Sequence, residues 1–174
     1  MMNVLGVIPA RGGSKGISNK NLALLGGRPL LAYTADAVKE SKLLTRTIVS
    51  TDDARIADCA RSLGLDVPFM RPSALAGDDV PMLPVVQHAV AALEADGFAA
   101  DAVVLLQPTS PLRRGEHIDA AVNWLEYSGN RPVRAMPIRR SVVHTCRPVG
   151  LCTGWKPAAM PMPSRRTPAT TSAA

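Results

Sequence analysis

Ala102-Val103-Val104-Leu105-Leu106 is an unbroken run of five apolar residues. Such a run suits a strand buried on both faces, and strands of that kind belong to parallel sheets covered by helices on both sides. Asn3 to Ile8, stopped by Pro9, and Arg46 to Ser50 read as two more strands of the same sheet. Helical periods separate them. Pro29 stands at a first-turn position before Leu30, Leu31, Tyr33, Thr34, Ala37 and Val38, and that helix runs until Ser41. Asp53 is placed to cap a helix carrying Ile56, Ala57, Ala60 and Leu63, which Gly64 ends. Leu65 to Phe69 is expected as a short strand, the third in chain order, and Arg71 to Pro81 as an exposed loop. Met82 to Ala95 is expected as a helix with Val85, Val86, Ala89 and Leu93 on one side, and Gly115 to Tyr127 as the last helix. The alternation predicts an α/β fold with a mostly parallel sheet flanked by helices.

In an open sheet of this type ligands gather outside the carboxyl ends of the strands. Three polar loops follow three of the predicted strands: Ala10 to Asn21, Ser50 to Asp53, and Gln107 to Arg113. They are expected to converge. The first holds Arg11-Gly12-Gly13-Ser14-Lys15-Gly16 and then Asn19-Lys20-Asn21, glycines that let backbone N–H groups approach oxygens and cations that neutralise them. A polyphosphate, and hence a nucleotide, is the natural guest. The loop is neither a Walker A sequence nor G-x-G-x-x-G. The plain alternative is a surface turn with solvated Arg and Lys. Of the two aspartates after Thr51, Asp53 is assigned to capping, and Asp52 is left as a candidate active-site carboxylate. Gln107-Pro108-Thr109-Ser110-Pro111-Leu112-Arg113 displays donors between two prolines at a strand end, although it also suits an ordinary turn.

Charge divides the 174-residue chain. Residues 1–126 carry 12 Lys plus Arg against 14 Asp plus Glu, whereas residues 127–174 carry 8 basic residues and no acidic one, so the net +6 describes a tail and not a face. That placement argues against a nucleic-acid surface, and the tail's single Trp155 offers thin support for stacking. The tail also has seven of the 15 prolines and no convincing apolar period, so residues 139–174 are expected to be mostly disordered beside a domain of residues 1–138. Cys59 lies in a helical pattern and reads as a small buried hydrophobe, and Cys146-x5-Cys152 lacks the paired spacing of a zinc site. The opening residues lack the basic leader and cleavage site of a signal peptide, and no apolar stretch approaches the ~20 residues of a membrane span. Cytoplasm is the expected compartment, with no membrane partner.

Four ordered segments then carry a resemblance: IPARGGSKGISNKNL (Ile8 to Leu22), STDD (Ser50 to Asp53), Arg71-Pro72 with Leu75-Ala76-x-Asp78, and LLQPTSPLR (Leu105 to Arg113). Together they resemble the acylneuraminate cytidylyltransferase family, the CMP-N-acetylneuraminic acid (CMP-sialic acid) synthetases and their relatives, from about Val4 to about residue 130. The resemblance implies a Rossmann-like fold of the nucleotide-diphospho-sugar transferase type. It implies transfer of CMP from CTP to a 2-keto sugar acid, sialic acid or a relative, with release of pyrophosphate, Mg²⁺ as cofactor and a dimeric assembly. By matched position, Arg11, Lys15 and Lys20 would neutralise the reacting phosphates, and Gly12, Gly13, Ser14 and Asn21 would hold the nucleotide. Asp52 has less certain standing there. Gln107, Thr109, Ser110 and Arg113 would face the sugar acid.

The chain departs from that family after the sugar-facing region. Family members carry an extended dimerisation segment and an aspartate-containing metal motif, and from Tyr127 onward there is no carboxylate to form such a pair. The metal ligands are therefore unassigned. Val133 to Pro137 suits the family's next strand. Beyond about Arg139 the rise in Arg, Pro, Cys, Trp and Thr matches what a shifted reading frame in a GC-rich gene would produce, so the chain is expected to be C-terminally truncated or frameshifted. The alternatives are a natural basic tail, a non-catalytic nucleotide binder, and a nucleotidyltransferase for another sugar.

Overall fold

The computed structural model describes residues 2–13, 16, 17, 19–127 and 141–145. A four-stranded sheet has the order β4-β1-β5-β6, built from β1 (Val4–Pro9), β4 (Arg46–Ser50), β5 (Ala102–Leu106) and β6 (Ser141–Thr145). β1 runs parallel to β4 and to β5, pairing Val7 with Ile48 on one side and with Leu105 on the other. The mostly parallel sheet expected from the apolar runs is the one observed.

Side-chain alternation along the strands splits the core in two. Val4, Ile8, Val49, Ala102, Val104 and Leu106 pack on one face with residues of α1 (Leu30–Glu40), α2 (Ala54–Ser62) and α4 (Gly115–Tyr127). Leu5, Val7, Ile48, Val103 and Leu105 face the other way onto Val86, Ala89 and Leu93 of α3 (Met82–Ala95). All five residues of β5 are buried, as a strand between two helical layers requires. Burial on this scale supplies the main drive to fold, at about 1.5–3 kcal/mol for each large apolar side chain.

α1 follows directly on Pro29, whose φ of −54° is already that of a helix start. Asp53 caps α2 as expected, accepting the Arg55 amide at 2.8 Å. Gly64, at φ 77°, then turns the chain in the left-handed region where a side chain would be strained. α3, β5 and α4 keep the boundaries read from sequence.

Three expectations are corrected. Leu65–Phe69 is not a strand of the sheet; the segment makes only isolated parallel bridges, Asp66 to Ile48 and Met70 to Thr51, because Pro68 lacks the amide a continuous ladder needs. The loop from Arg71 contains a 3₁₀ turn at Ser73–Leu75, and Arg71 itself is buried at 6% exposure. A small hairpin of β2 (Leu24–Leu25) and β3 (Arg28–Pro29) interrupts what had no assigned structure. Gly26 and Gly27 form its turn at φ 56° and 80°, the two positive values that a tight hairpin favours.

Ser141–Thr145 adds β6 to the sheet, pairing antiparallel with the whole of β5, Ser141 opposite Leu106 and Thr145 opposite Ala102. The unpaired edge of β5 offers a row of N–H and C=O groups, and a segment with two valines and a threonine has the β-propensity to take it up. The Val133–Pro137 strand expectation lies outside the described residues.

Candidate active site

Parallel strands β1 and β5 both end beside a cleft of about 190 Å³. Pro9, Arg11 and Gly13 come to it from the end of β1, with Lys20 and Asn21 from the far limb of the same loop. Gln107, Pro108 and Thr109 come from the end of β5, and Arg71 and Met82 complete the lining. Two of the three expected loops thus meet at the cleft.

The third loop, Ser50–Asp53, acts from underneath. Ala10 donates its amide to the Ser50 carbonyl at 3.0 Å, which continues the β1–β4 ladder into the loop. Asp52 accepts the Gly12 N–H at 3.1 Å and so fixes the near limb. Gly12 has a steric reason to be glycine, because a β-carbon there would stand 2.7 Å from Asp53 Oδ2 and 2.8 Å from Asp53 Cβ. Gly12 and Asp52 therefore shape the loop from behind rather than line the cleft.

Asn21 is 7% exposed and donates from Nδ2 to the Arg11 carbonyl at 3.0 Å, tying the two limbs of the loop together. The Arg11 guanidinium is ion-paired with Asp78, from the loop before α3. Arg71 is held by donation from Nε to Ser50 Oγ at 3.0 Å and from Nη2 to the Ser50 carbonyl. Burial lowers its pKa, a shift that the nearby Asp52 carboxylate opposes and the Arg11 charge reinforces. Three cations, Arg11, Lys20 and Arg71, therefore share one cleft. In the sequence Arg71 stands in a family-like segment with no role attached, and no local signal shows that the loop after Met70 turns its guanidinium inward.

From the end of β5 Gln107 and Thr109 face the cleft, whereas Ser110 and Arg113 are not among its lining residues. Arg113 is 4% exposed and donates from Nη2 to the Gln107 carbonyl at 2.7 Å, so it braces the loop from inside. Burial pulls its pKa down to about 10, which leaves it charged at neutral pH. Ser14 and Lys15 lie outside the described residues. Cys59 is free and half-buried in α2, and burial pushes its thiol pKa up, in keeping with an apolar role. Among the described residues no helix is long and apolar enough to cross a membrane.

Comparison with known proteins follows the same lines. The sequence matches the family described as Cytidylyltransferase over residues 5–158. The chain belongs to the cytidylyltransferase family. It is 40% identical over 137 residues to CMP-N,N'-diacetyllegionaminic acid synthase of Legionella pneumophila, covering 79% of this chain and 59% of that protein. It is 41% identical over 120 residues to N-acylneuraminate cytidylyltransferase of Escherichia coli, covering 68% of this chain and 27% of that protein. The chain thus spans less than two thirds of the length of these cytidylyltransferase relatives. In fold it is similar to a CMP:2-keto-3-deoxy-manno-octonic acid synthetase complexed with CTP, at TM-score 0.63 and 20% identity over 75% of this chain and 50% of that one. That likeness places this cytidylyltransferase chain in the Rossmann-like nucleotide-diphospho-sugar transferase fold.

Proposed function

We propose that the cleft binds CTP and passes its CMP to the anomeric hydroxyl of a 2-keto sugar acid, sialic acid or a relative, releasing pyrophosphate. The observation that carries this is the make-up of the lining. Arg11, Lys20 and Arg71 share one cleft with Gln107 and Thr109. In the reaction the sugar hydroxyl gives up its proton to solvent as its oxygen bonds to the α-phosphorus and the bond to the bridging oxygen of the β-phosphate breaks. Negative charge grows on the departing pyrophosphate. Cations already fixed at that place stabilise the charge without having to reorganise. Arg11 exchanges Asp78 for a phosphate oxygen, and Asn21 keeps the Arg11 backbone in place during that exchange. Lys15 belongs to the same cationic set by its motif position. Gln107 offers an amide and Thr109 a hydroxyl for the polar groups of the sugar acid.

Mg²⁺ remains the expected cofactor of this reaction. Among the described residues no group of three or more His, Cys, Asp or Glu side chains is placed to hold a metal. The carboxylates beside the loop are already engaged, Asp52 with the Gly12 amide, Asp53 with Arg55 and Asp78 with Arg11. These residues do not by themselves fit the ion. Dimerisation and a cytoplasmic location belong to the same proposal, and light scattering of the purified chain tests the first.

The decisive experiment is calorimetric titration with CTP, UTP, GTP and ATP, followed by a pyrophosphate-release assay with Mg²⁺ and a panel of acids. The panel holds N-acetylneuraminic, N,N'-diacetyllegionaminic, pseudaminic and 3-deoxy-manno-octulosonic acids. Preferential CTP binding with release only when an acid is present is the expected outcome. Preference for another nucleotide overturns the proposal. Binding of CTP without release for any acid points instead to a non-catalytic nucleotide binder.

A further inference from the structure

The glycine-rich loop leaves β1 at Pro9 and returns at Asn19, and the two limbs meet the same small group of side chains at the start of α2. On the near limb Gly12 lies against Asp53, closely enough that no β-carbon fits, and gives its amide to Asp52 at 3.1 Å. On the far limb Asn19 has φ 51°, the left-handed conformation that Asn tolerates better than most residues. Its carbonyl accepts the Leu22 amide at 2.8 Å and the Ala23 amide at 3.1 Å, closing the turn that delivers Lys20 and Asn21 to the cleft.

Arg55 joins the limbs. Its Nε donates to Asp53 Oδ1 at 3.2 Å and its Nη2 to Asp53 Oδ2 at 2.6 Å, a fork on one carboxylate. The same Nη2 reaches Asn19 Oδ1 at 2.8 Å. The Asp53 carboxylate is only 14% exposed, and the Arg55 fork holds its pKa below the usual range, so this anchor stays ionised and in place. Arg55 is 65% exposed, and an ion pair at such a surface adds little to global stability. Its contacts instead set a distance, from the carboxylate under Gly12 to the turn that carries Lys20 and Asn21.

We propose that Arg55 is a positioning residue for the phosphate-handling loop, bridging Asp53 beneath Gly12 to Asn19 so that both limbs present their cations at a fixed separation. The part concerning nucleotides rests on the function proposed above. The bridge itself does not. A triphosphate reaches both limbs of such a loop, whereas a monophosphate engages less of it. Loss of the bridge therefore weakens the longer ligand selectively, while a general loss of stability weakens both.

The test compares the full chain with Arg55→Ala and Arg55→Lys. Amide hydrogen exchange at Leu22 and Ala23 reports the Asn19 turn, and calorimetry gives Kd for CTP and for CMP. Arg55→Ala is expected to speed exchange at those amides and to weaken CTP about three- to fivefold, with CMP changed less than about twofold. Arg55→Lys keeps the charge but lacks the planar fork, and is expected to behave like Arg55→Ala. Full recovery by lysine overturns the bridge in favour of a simple charge effect. Unchanged exchange at Leu22 and Ala23, or equal losses for CTP and CMP, also overturns it. If the unaltered chain binds no CTP while Arg55→Ala still speeds exchange, the bridge stands and the nucleotide assignment falls.

Discussion

Gly12→Ala separates two reasons for having glycine in a phosphate loop, conformational freedom and close approach. Neither Gly12 nor Gly13 adopts positive φ, so alanine is not strained by backbone conformation at either position. At Gly12 the new β-carbon falls 2.8 Å from Asp53 Cβ and 3.2 Å from Cγ. Normal carbon–carbon contacts lie at about 3.5–4.0 Å, so the overlap with Cβ is about 0.7 Å. Asp53 has little freedom to yield, because its carboxylate caps α2 and holds the Arg55 fork. The loop limb must move instead, and the bond from the Gly12 amide to Asp52 is lost. Overpacking of this kind costs about 2 kcal/mol, which for a chain of this size lowers the melting temperature by ~4–8 °C. At Gly13 a β-carbon meets nothing within 4 Å, so Gly13→Ala is expected to leave the unliganded protein's melting curve unchanged. Differential scanning calorimetry and urea titration of the two variants decide the matter. If both melt like the unaltered protein, or if Gly13→Ala is equally destabilised, close packing on Asp53 is not what requires Gly12. Titration with CTP adds a second reading, with Gly12→Ala expected to bind about tenfold more weakly, as the limb carrying Arg11 shifts.

Gly115→Ala places a β-carbon 2.5 Å from both the carbonyl carbon and Cβ of Glu40, where α1 ends against the start of α4. Because backbone atoms block it, a loss of about 3 kcal/mol is expected from the urea midpoint. Asp119, on α4, accepts the Ser41 hydroxyl at 2.5 Å and the Lys42 and Leu43 amides at 3.1 and 3.2 Å. Burial alone would raise its pKa, but these bonds outweigh burial and the net value lies below the ordinary 3.8. A depressed folded value means the stabilisation is present above the unfolded pKa and disappears as pH falls through the lower folded value. Asp119→Ala should therefore lose about 1–2 kcal/mol at neutral pH, and progressively less as pH falls through the carboxylate's lowered folded value, as read from unfolding midpoints across acid pH. Arg71→Lys loses the fork that holds both the hydroxyl and the carbonyl of Ser50. An affinity for CTP about tenfold weaker by calorimetry is expected, and unchanged affinity would remove Arg71 from the binding wall.

Much of the framework was legible because it rests on local periodicity. β5, α3 and α4 kept their expected bounds, since wholly apolar or helical spacing over five or more residues leaves few alternatives. Leu65–Phe69 has the apolar character of a strand, but the missing amide of Pro68 keeps it to isolated bridges. β6 carries no such signal, because a proline-rich, basic setting masks five residues able to complete an edge. Of the site, Arg11, Gly13, Lys20, Asn21, Gln107 and Thr109 line the cleft, while Asp52 and Arg113 brace loops by accepting from Gly12 and donating to Gln107. The sequence motif places all of these side chains near strand ends without saying which way each one turns.

Sequence alone thus determined the strand and helix alternation, the order of the loops at the strand ends, and the family to which the chain belongs. These follow from spacing and residue type, which act over a few neighbours. Tertiary structure decided which polar groups face the cleft and which stand behind it. Arg71 reaches the cleft only because its loop lies beside Ser50, 21 residues away, and Arg55 becomes a bridge only because Asn19, 36 residues away, folds onto it. Contacts across such separations are selected by the packing of the whole sheet and leave no local pattern to read.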